Sequence, residues 1–386
     1  MVDALTGPSG YAPGTRRLLV VAGEPSGDLH AARLVRALRG LGPFEVRGIA
    51  GPRMRAEGVE AVVAQEDLAV IGFSGIVARL PALLAARATI LRELERFRPE
   101  AVVLVDYPGF NLRLGPQLKA RGARVFYYIG PPVWAWHAER AHAMAAWVDR
   151  LAVVFPFEEP IFSGAGVPTT FVGHPLLDEL EPEVDGEALR RDIGAAPGAR
   201  LLGLLPGSRR GEIAHHAAVM LEAAQRVRRA HADVVPVLAL AEGMSIEQVS
   251  ARLREGVAVV RGRTRAVQAF SACCAVASGT ATLETALFGT PLVIGYRVGW
   301  LNYAIARRVV KLSHIGLPNI VAGREVAPEL LQDAFTPVRL AEVLGGWFAD
   351  PAQLAARREG LAGVRSALGG PGASLRAATA LRELLG

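Results

Sequence analysis

Cysteine is nearly absent from this chain, which has two cysteines in 386 residues, Cys273 and Cys274. They are adjacent in an apolar run, and neighbouring residues of a strand point to opposite faces, so they are poorly placed to form a disulfide. No CxxC pair and no Cys/His spacing typical of zinc proteins occurs. The sequence therefore predicts a buried, reduced cysteine pair, as in cytoplasmic proteins, and no metal site.

Long apolar runs and basic runs are missing as well. No stretch reaches about 18 uninterrupted apolar residues, so no membrane-spanning helix is predicted. The formal net charge of +6 suits an anionic partner, but the basic residues are spread out and form no nucleic-acid-binding arm. The chain also lacks the GxGxxG dinucleotide fingerprint and any repeat of about 20–50 residues.

What the chain contains is an alternation of short apolar runs and amphipathic helices. Hydrophobic residues make up 51% of it, enough for large cores. Near-continuous apolar runs are typical of parallel strands that are covered on both faces by helices. The runs are residues 18–22, 45–49, 59–63, 101–105, 125–129, 151–155, 201–205, 234–240, 257–260 and 291–296, with a further strand beginning the tract at 275. This pattern predicts an α/β fold with parallel sheets.

The acidic, then Pro/Gly-containing stretch 181–199 divides the chain into two halves. We predict a flexible tail over 1–16, a first domain over 17–180 and a second domain over 181–386. A helix is predicted near 245–254, and helices near 337–348, 351–368 and 373–385 end the chain. The last helices are candidates for packing back on the first domain.

Two glycine turns of the second half each join a buried strand to a helix. One is the Pro206–Arg209 turn and the other is the Ser278–Thr280 turn. Helix N-termini aim unpaired N–H groups at one point, and Arg209 and Arg210 add positive charge, which predicts a phosphate or diphosphate site. An ordinary strand–helix loop whose arginines face water is an equally good interpretation of the first turn.

Glu284 falls on the first turns of the helix that follows the second turn. A carboxylate at that place can accept two ribose hydroxyls from a ligand held at the helix N-terminus. The alternative is a capping acid that pairs with Thr280 or Thr282.

Asp106 directly follows the apolar run 101–105, where α/β enzymes place their chemistry. It is the leading candidate for a general base, with a helix cap or a loop hydrogen bond as the alternative. Gly23 and Gly27, in the turn after the first strand, allow close approach of another molecule or tight packing. His174, which precedes a proline, is either a structural residue or a ligand contact.

Two further stretches of the first half have an apolar character. Residues 68–91 combine many aliphatic side chains with Arg79 and Arg87. They form either a buried helix with its lead-in, or an exposed patch that touches lipid while the arginines face phosphate head groups. Trp134 and Trp136 flank one alanine and either pack in the core or flank a sugar or acyl chain.

Taken in chain order, seven of these stretches resemble the lipid-A-disaccharide synthase family. They are Gly23–Asp28; Asp106 to Asn111; Pro132–Trp136 with Arg140; Phe171–Pro175; Leu205–Arg209 with Glu212; Ser278–Glu284; and Leu317–Asn319 with Gly323–Glu325. Each motif is short, but seven in sequence order, from about residue 17 to beyond 330, are specific.

The resemblance implies a GT-B architecture, in which two Rossmann-like domains face each other across a cleft. It implies an inverting glycosyltransferase that joins UDP-2,3-diacylglucosamine to 2,3-diacylglucosamine 1-phosphate. The products are UDP and a β-1,6-linked disaccharide 1-phosphate, a lipid A precursor. It further implies no cofactor, no metal, no nucleic-acid partner, and a peripheral location on the cytoplasmic face of the inner membrane. A homodimer is left open.

The resemblance also assigns roles to residues, with Asp106 as the catalytic base that deprotonates the acceptor 6-hydroxyl. The UDP-sugar-binding set is Gly207, Ser208, Arg209, Ser278, Gly279, Thr280, Ala281, Thr282, Glu284, Asn319, Arg324 and Glu325. The acceptor or cleft set is Gly23, Glu24, Ser26, Gly27, Asp28, Asn111, Trp134, Trp136, Arg140 and His174. Glu284 would take the ribose, and the two turns would hold the diphosphate.

Two other functions compete with this one. Another GT-B enzyme that uses UDP-N-acetylglucosamine, such as a 2-epimerase or a peptidoglycan glycosyltransferase, would share the diphosphate turns but not the Trp-Ala-Trp segment. A basic module that binds nucleotide or nucleic acid is the other alternative. The apolar stretch 68–91 argues against it, because nucleic-acid surfaces need charge and stacking rings.

Overall fold

The computed structural model describes residues 14–69, 76–134, 139–178, 180–241, 243–247, 249–297 and 313–386. Trp136, residues 70–75 of the predicted apolar segment and most of the predicted tail lie outside these ranges.

The strands are β1 Arg16–Val21, β2 Phe44–Ala50, β3 Glu60–Ala64, β4 Ala101–Val105, β5 Val125–Tyr128, β6 Arg150–Val153, β7 Thr169–Phe171, β8 Arg200–Leu205, β9 Val234–Leu240, β10 Ala258–Arg261, β11 Cys273–Ala277, β12 Leu292–Tyr296 and β13 Glu329–Leu331. The helices are α1 Pro25–Arg39, α2 Pro52–Ala56, α3 Gln65–Ala69, α4 Ile76–Phe97, α5 Pro108–Lys119, α6 Glu139–Met144, α7 Glu158–Gly164, α8 Gly186–Ile193, α9 Arg210–Ala230, α10 Ala251–Arg254, α11 Thr264–Phe270, α12 Thr280–Leu287, α13 Leu317–Ala322, α14 Pro337–Ala349, α15 Pro351–Ala367 and α16 Ala373–Leu385.

These elements form two compact units. The first unit comprises the described residues up to Asp178 together with Gly370–Gly386, and the second comprises the described residues from 180 to Gly369. Each unit has one sheet, in the orders β3-β2-β1-β4-β5-β6-β7 and β10-β9-β8-β11-β12-β13, and every pairing is parallel. The predicted α/β fold with two Rossmann-like domains is confirmed.

The central strands are fully buried, which explains why apolar runs in the sequence predicted their positions. All five residues of β4 and the last four of β1 are essentially inaccessible to solvent, because helices cover both faces of the sheet. The strand order reverses between β1 and β4 in the first unit, and between β8 and β11 in the second. We call these two places the switch points. Ligands of open α/β sheets bind outside the carboxyl ends of the strands at such points.

The chain returns to the first unit at its C-terminus. Helices α14 and α15 pack within the second unit, whereas α16 packs against α1. The carboxylate of Asp178 accepts hydrogen bonds from the amides of Gly372, Ala373 and Ser374. This carboxylate therefore caps α16. It also connects the end of the first stretch of the first unit to the C-terminal segment that returns to this unit.

Some predicted elements were wrong or missing. The helix predicted near 245–254 is limited to α10, and the three-residue strands β7 and β13 were not predicted. Within the described ranges, no helix has the length and apolar character needed to cross a bilayer.

Replacement of Asp178 by alanine should destabilise the first unit by about 1–2 kcal/mol, because the N–H groups at the start of α16 lose their cap. Urea unfolding followed by circular dichroism measures the effect. The exposed Asp67, replaced by alanine, is the control and should leave the midpoint unchanged. Equal midpoints for both variants would contradict the capping role.

Candidate active site

The first switch point brings the Gly23–Asp28 turn and Asp106 to the same edge of the sheet. Val21 of β1 pairs in register with Leu104 of β4, so the loops that leave these two strands are neighbours. A Cβ atom on Gly23 would overlap the ring of Tyr107. The glycine thus serves tight packing between the two loops, one of the two alternatives for this turn.

The backbone at Asp106 is strained and firmly held. Asp106 and Tyr107 have φ angles of 46° and 50°, in the left-handed region, which costs an L-residue about 1–2 kcal/mol. The Asp106 amide donates to the carbonyl of Tyr128 at 2.9 Å. Its carbonyl accepts from Asn111 Nδ2 at 2.7 Å and from the Tyr127 hydroxyl at 2.8 Å. Strain of this kind is concentrated at functional sites, where the surroundings determine the conformation.

The Asp106 carboxyl group is not used as a helix cap. The N-cap of α5 is Tyr107, and no side chain caps this helix. Burial, together with a smaller contribution from the neighbouring Glu24 carboxylate, raises the pKa of Asp106 to about 6, although a hydrogen bond from the Tyr107 backbone opposes the rise. A carboxylate with this pKa is a stronger base than an ordinary aspartate and is still ionised at neutral pH.

Asp28, by contrast, is engaged by backbone groups. Its buried carboxylate accepts from the amides of Gly51, Arg53 and Met54, which belong to the start of α2. Asp28 is therefore a positioning residue that joins α1 to α2.

His174 also has a structural environment. Its Nδ1 accepts from the amide of Leu176 at 3.2 Å, and its ring packs against Phe155. Burial lowers the pKa of His174 to about 3, with a smaller contribution from His30, so the imidazole is neutral. Ser26, in the turn after β1, is exposed.

Trp134 is held by a residue that the sequence analysis missed. Its Nε1 donates to Glu158 Oε1 at 2.9 Å, and its ring packs edge-on against Phe157. The other oxygen of Glu158 accepts from the amide of Phe155 at 3.1 Å. Burial raises the pKa of Glu158 to about 7, although its hydrogen bonds oppose the rise. The only signal in the sequence was an acid directly after the apolar stretch 151–157.

The second switch point forms a cavity of about 350 Å³ in the second unit. Val276 of β11 pairs with Leu205 of β8, so both predicted phosphate turns leave the sheet side by side. The residues of the UDP-sugar set that line the cavity are Gly207, Ser208, Arg209, Ser278, Gly279, Thr280, Ala281 and Glu284. The structure therefore brings most of this set together.

Glu212 occupies the amides of the first turn. Its Oε2 accepts from the amides of Ser208 at 2.9 Å and Arg209 at 3.2 Å, and its Oε1 accepts from the Arg209 guanidinium at 2.8 Å. Burial alone would raise the pKa of Glu212, but these donors outweigh it and lower the pKa. The Arg209 side chain is 83% exposed at the cavity. An anion could thus recruit Arg209, whereas these two amides already have an acceptor.

The start of α12 has the geometry of an anion-binding helix N-terminus. Its N-cap is Gly279, with φ of 152°, and no side chain of the described residues caps the helix. The hydroxyl of Thr282 donates to the Gly279 carbonyl instead. The first-turn N–H groups at Thr280 and Ala281 therefore border the cavity without a side-chain acceptor, as phosphate-binding helices require.

Glu284 lines the same cavity and does not form the predicted capping pair. Its Oε1 lies 3.6 Å from Arg265 Nη2, and its side chain is 17% exposed. Burial raises the pKa of Glu284, while Arg265 opposes the rise. The carboxylate is therefore placed to accept hydroxyl groups from a ligand.

His216, which the sequence analysis did not single out, holds the Pro206–Arg209 turn in place. Its Nε2 accepts from the amide of Arg297 at 3.0 Å, so Nδ1 carries the proton and donates to the Pro206 carbonyl at 3.1 Å. Burial lowers the pKa of His216, which keeps the ring neutral and able to do both. A histidine on the buried face of α9 was the only sequence signal.

Four members of the UDP-sugar set do not line the cavity, namely Thr282, Asn319, Arg324 and Glu325. Asn319 is fully buried: its Nδ2 donates to Ala327 and Glu329, and its Oδ1 accepts from the amides of Val326 and Ala327. Its side chain thus positions the segment after α13 rather than facing a ligand.

Arg324 and Glu325 are exposed and do not line the cavity. Over the described part of the chain, no group of three or more His, Cys, Asp or Glu side chains is arranged to hold a metal ion.

The chain folds into two parallel-sheet units, and the second unit has a cavity at its switch point. This fold is of the GT-B class. Solved structures support this class. A glycotransferase of kitacinnamycin matches with a TM-score of 0.62 and 17% identity over 97% of this chain and 100% of its own. A UDP-GlcNAc 2-epimerase from Neisseria meningitidis, bound to UDP-GlcNAc, matches with a TM-score of 0.59 and 11% identity over 96% and 99%.

Sequence comparison then identifies the family. The family model described as Lipid-A-disaccharide synthetase matches residues 18–350. The lipid-A-disaccharide synthase of Geobacter metallireducens is 42% identical over 98% of this chain and 99% of its own. That of Anaeromyxobacter sp. (strain K) is 42% identical over 97% and 99%. The chain belongs to the lipid-A-disaccharide synthase family and is a glycosyltransferase, as the motifs predicted.

Replacement of Gly23 by alanine should destabilise the first unit by about 1–3 kcal/mol, since the new methyl group overlaps the Tyr107 ring beside Asp106. Urea unfolding measures the loss. Gly109→Ala is the matched control, because a Cβ there meets no atom within 4 Å. A Gly23→Ala protein as stable as the control would show that the two loops do not pack as described.

Proposed function

We propose that this protein is an inverting glycosyltransferase that transfers 2,3-diacylglucosamine from UDP to the 6-hydroxyl of 2,3-diacylglucosamine 1-phosphate. The products are the β-1,6-linked disaccharide 1-phosphate and UDP. Family membership supports the substrates. Two observations carry the mechanism. The switch point of the first unit has a buried carboxylate, Asp106, on a strained backbone. The switch point of the second unit has the uncapped start of α12 and the guanidinium of Arg209.

The second unit binds the donor in this proposal. The start of α12 and the guanidinium of Arg209 hold the diphosphate, and Glu284 accepts the ribose hydroxyls. These groups are fixed before the reaction, so they stabilise the negative charge that grows on the leaving UDP. The likeness of the fold to an epimerase structure that is bound to UDP-GlcNAc supports a UDP-sugar as the ligand.

The first unit supplies the base. Asp106 takes the proton of the acceptor 6-hydroxyl as that oxygen attacks the anomeric carbon and the bond to UDP breaks. A single displacement of this kind inverts the configuration at the anomeric carbon. Asn111 and Tyr127 hold the Asp106 backbone, so the carboxylate keeps its position when its protonation state changes.

The same function places the protein at the inner-membrane surface, on its cytoplasmic side, because both sugars carry acyl chains. Leu80 and Leu84, one helical turn apart at the start of α4, are 46% and 44% exposed. Exposed leucines on one face of a helix suit contact with the acyl boundary of a bilayer. This pair supports the exposed-patch interpretation of the 68–91 segment.

Asp106→Asn should abolish formation of the disaccharide and leave UDP affinity unchanged, because only the base is removed. Incubation of wild type and variant with the two lipid substrates, followed by mass analysis, measures turnover, and calorimetry measures UDP binding. Wild-type rates in the variant would remove Asp106 from the mechanism. A wild-type protein that instead converts UDP-N-acetylglucosamine to its epimer would support the epimerase alternative.

The rate should also depend on pH through Asp106. The pKa is raised to about 6, so the carboxylate is lost as the pH falls through 6, and kcat/KM should fall with it and level off above 7. Glu24→Gln removes a neighbouring negative charge and should move this acid limb to lower pH. Asp67→Asn, at an exposed site, is the control. An acid limb that stays in place in Glu24→Gln would contradict the described coupling.

A further inference from the structure

A groove between α5 and α6 in the first unit has no role in the mechanism described so far, although Arg140 of the acceptor or cleft set lines it. It encloses about 540 Å³, a volume within the usual range of ligand pockets. Leu112, Met144 and Trp147 give it an apolar lining, and Met144 and Trp147 are themselves buried. The ring of Trp147 lies directly on Gly115, where a Cβ atom would overlap it. The absence of that side chain on α5 lets the indole pack flat against the helix.

Two arginines add positive charge to this apolar groove. Arg113 of α5 and Arg140 of α6 both line it, and both are exposed. Within the described ranges neither side chain has a carboxylate partner in an ion pair, in contrast to Arg121, two residues after α5, which faces Glu95 at 3.7 Å. An apolar channel with two available guanidinium groups is complementary to an amphipathic anion.

The groove begins at residues that are close to Asp106 in the chain. Pro108 and Gly109, the first residues of α5, line its end and follow Asp106 by two and three positions in the chain. A ligand lying along α5 can therefore place one group near Asp106 and its remaining parts in the groove. Arg113, five residues further along α5, is about 7.5 Å from the helix start at 1.5 Å per residue.

We propose that this groove binds the acceptor, with an acyl chain on the accessible apolar surface formed by Leu112, Pro116 and Ala143, and the 1-phosphate held by Arg113 and Arg140. This inference rests on the proposed function, since it needs an acceptor hydroxyl at Asp106. The donor diphosphate binds in the cavity of the second unit. The 1-phosphate of the acceptor is therefore the anionic group that remains for Arg113 and Arg140 to bind. Guanidinium groups bind such phosphates with charge-assisted, often bidentate hydrogen bonds.

Arg113→Gln and Arg140→Gln test the phosphate contact, with Arg121→Gln as the control. Each groove variant should raise the KM for the acceptor by about tenfold and leave the KM for the UDP-sugar unchanged. An acceptor without its 1-phosphate should react poorly with wild type and equally poorly with the double variant. Unchanged acceptor KM in both single variants would overturn the proposal.

Ala143→Trp tests the acyl contact, because Ala143 lines the groove from α6 and a large ring there would fill it. The variant should lose activity with long-chain acceptors and keep it with short-chain ones. His142→Trp, at an exposed neighbour that does not line the groove, is the control. The same chain-length profile in the Ala143 variant and wild type would overturn the acyl contact.

A direct measurement of acceptor binding tests this proposal independently of the proposed reaction. Calorimetry with the acceptor alone should show tight binding to wild type and about tenfold weaker binding to each arginine variant, whether or not turnover occurs. Absence of disaccharide with wild-type protein would reject the proposed function only. If the arginine variants lose binding to anionic phospholipid vesicles and keep acceptor affinity, the groove binds bilayer lipid and the acceptor assignment is wrong.

Discussion

The reversal of strand order in each parallel sheet is the constraint on which this protein depends. Neighbouring strands at a switch point send their chains to opposite sides of the sheet, so a gap opens at their carboxyl ends. In the first unit the loops after β1 and β4 meet there and place Asp106 beside Glu24. In the second, the loops after β8 and β11 form the cavity. Both halves of the chemistry therefore follow from the same backbone geometry.

Carboxylates have two distinct uses in this fold. Asp28, Asp178 and Glu212 accept hydrogen bonds from runs of backbone amides, and they hold helices and turns in place. Asp106 and Glu284 are buried without such a run of amides, and burial raises the pKa of each. Groups of the first kind stabilise the site, while those of the second kind remain available to a substrate. We expect mutation of the first kind to reduce stability, whereas mutation of the second kind should reduce activity alone.

The sequence was a good guide to strands and a poor one to side-chain partners. Residues 101–105 and 234–240 were predicted with the bounds that the structure shows, because a central parallel strand must be apolar on both faces. The roles of Glu212, His216 and Glu158 were not predictable, since the partners of the first two are backbone groups of loops and that of Glu158 is an indole 24 residues away in the chain. Asn319 shows the same limit: its motif identified the family, yet its contacts are internal. Among the described residues near 245–254, the predicted helix is limited to α10.

The most direct test of the central claim compares the binding of UDP and uridine to the wild-type protein by calorimetry at one ionic strength. If the start of α12 and Arg209 hold the diphosphate, UDP should bind about a hundredfold more tightly than uridine, since several charge-assisted hydrogen bonds are at stake. Equal affinities for the two ligands would show that this cavity does not recognise a diphosphate, and the account of the site would be wrong.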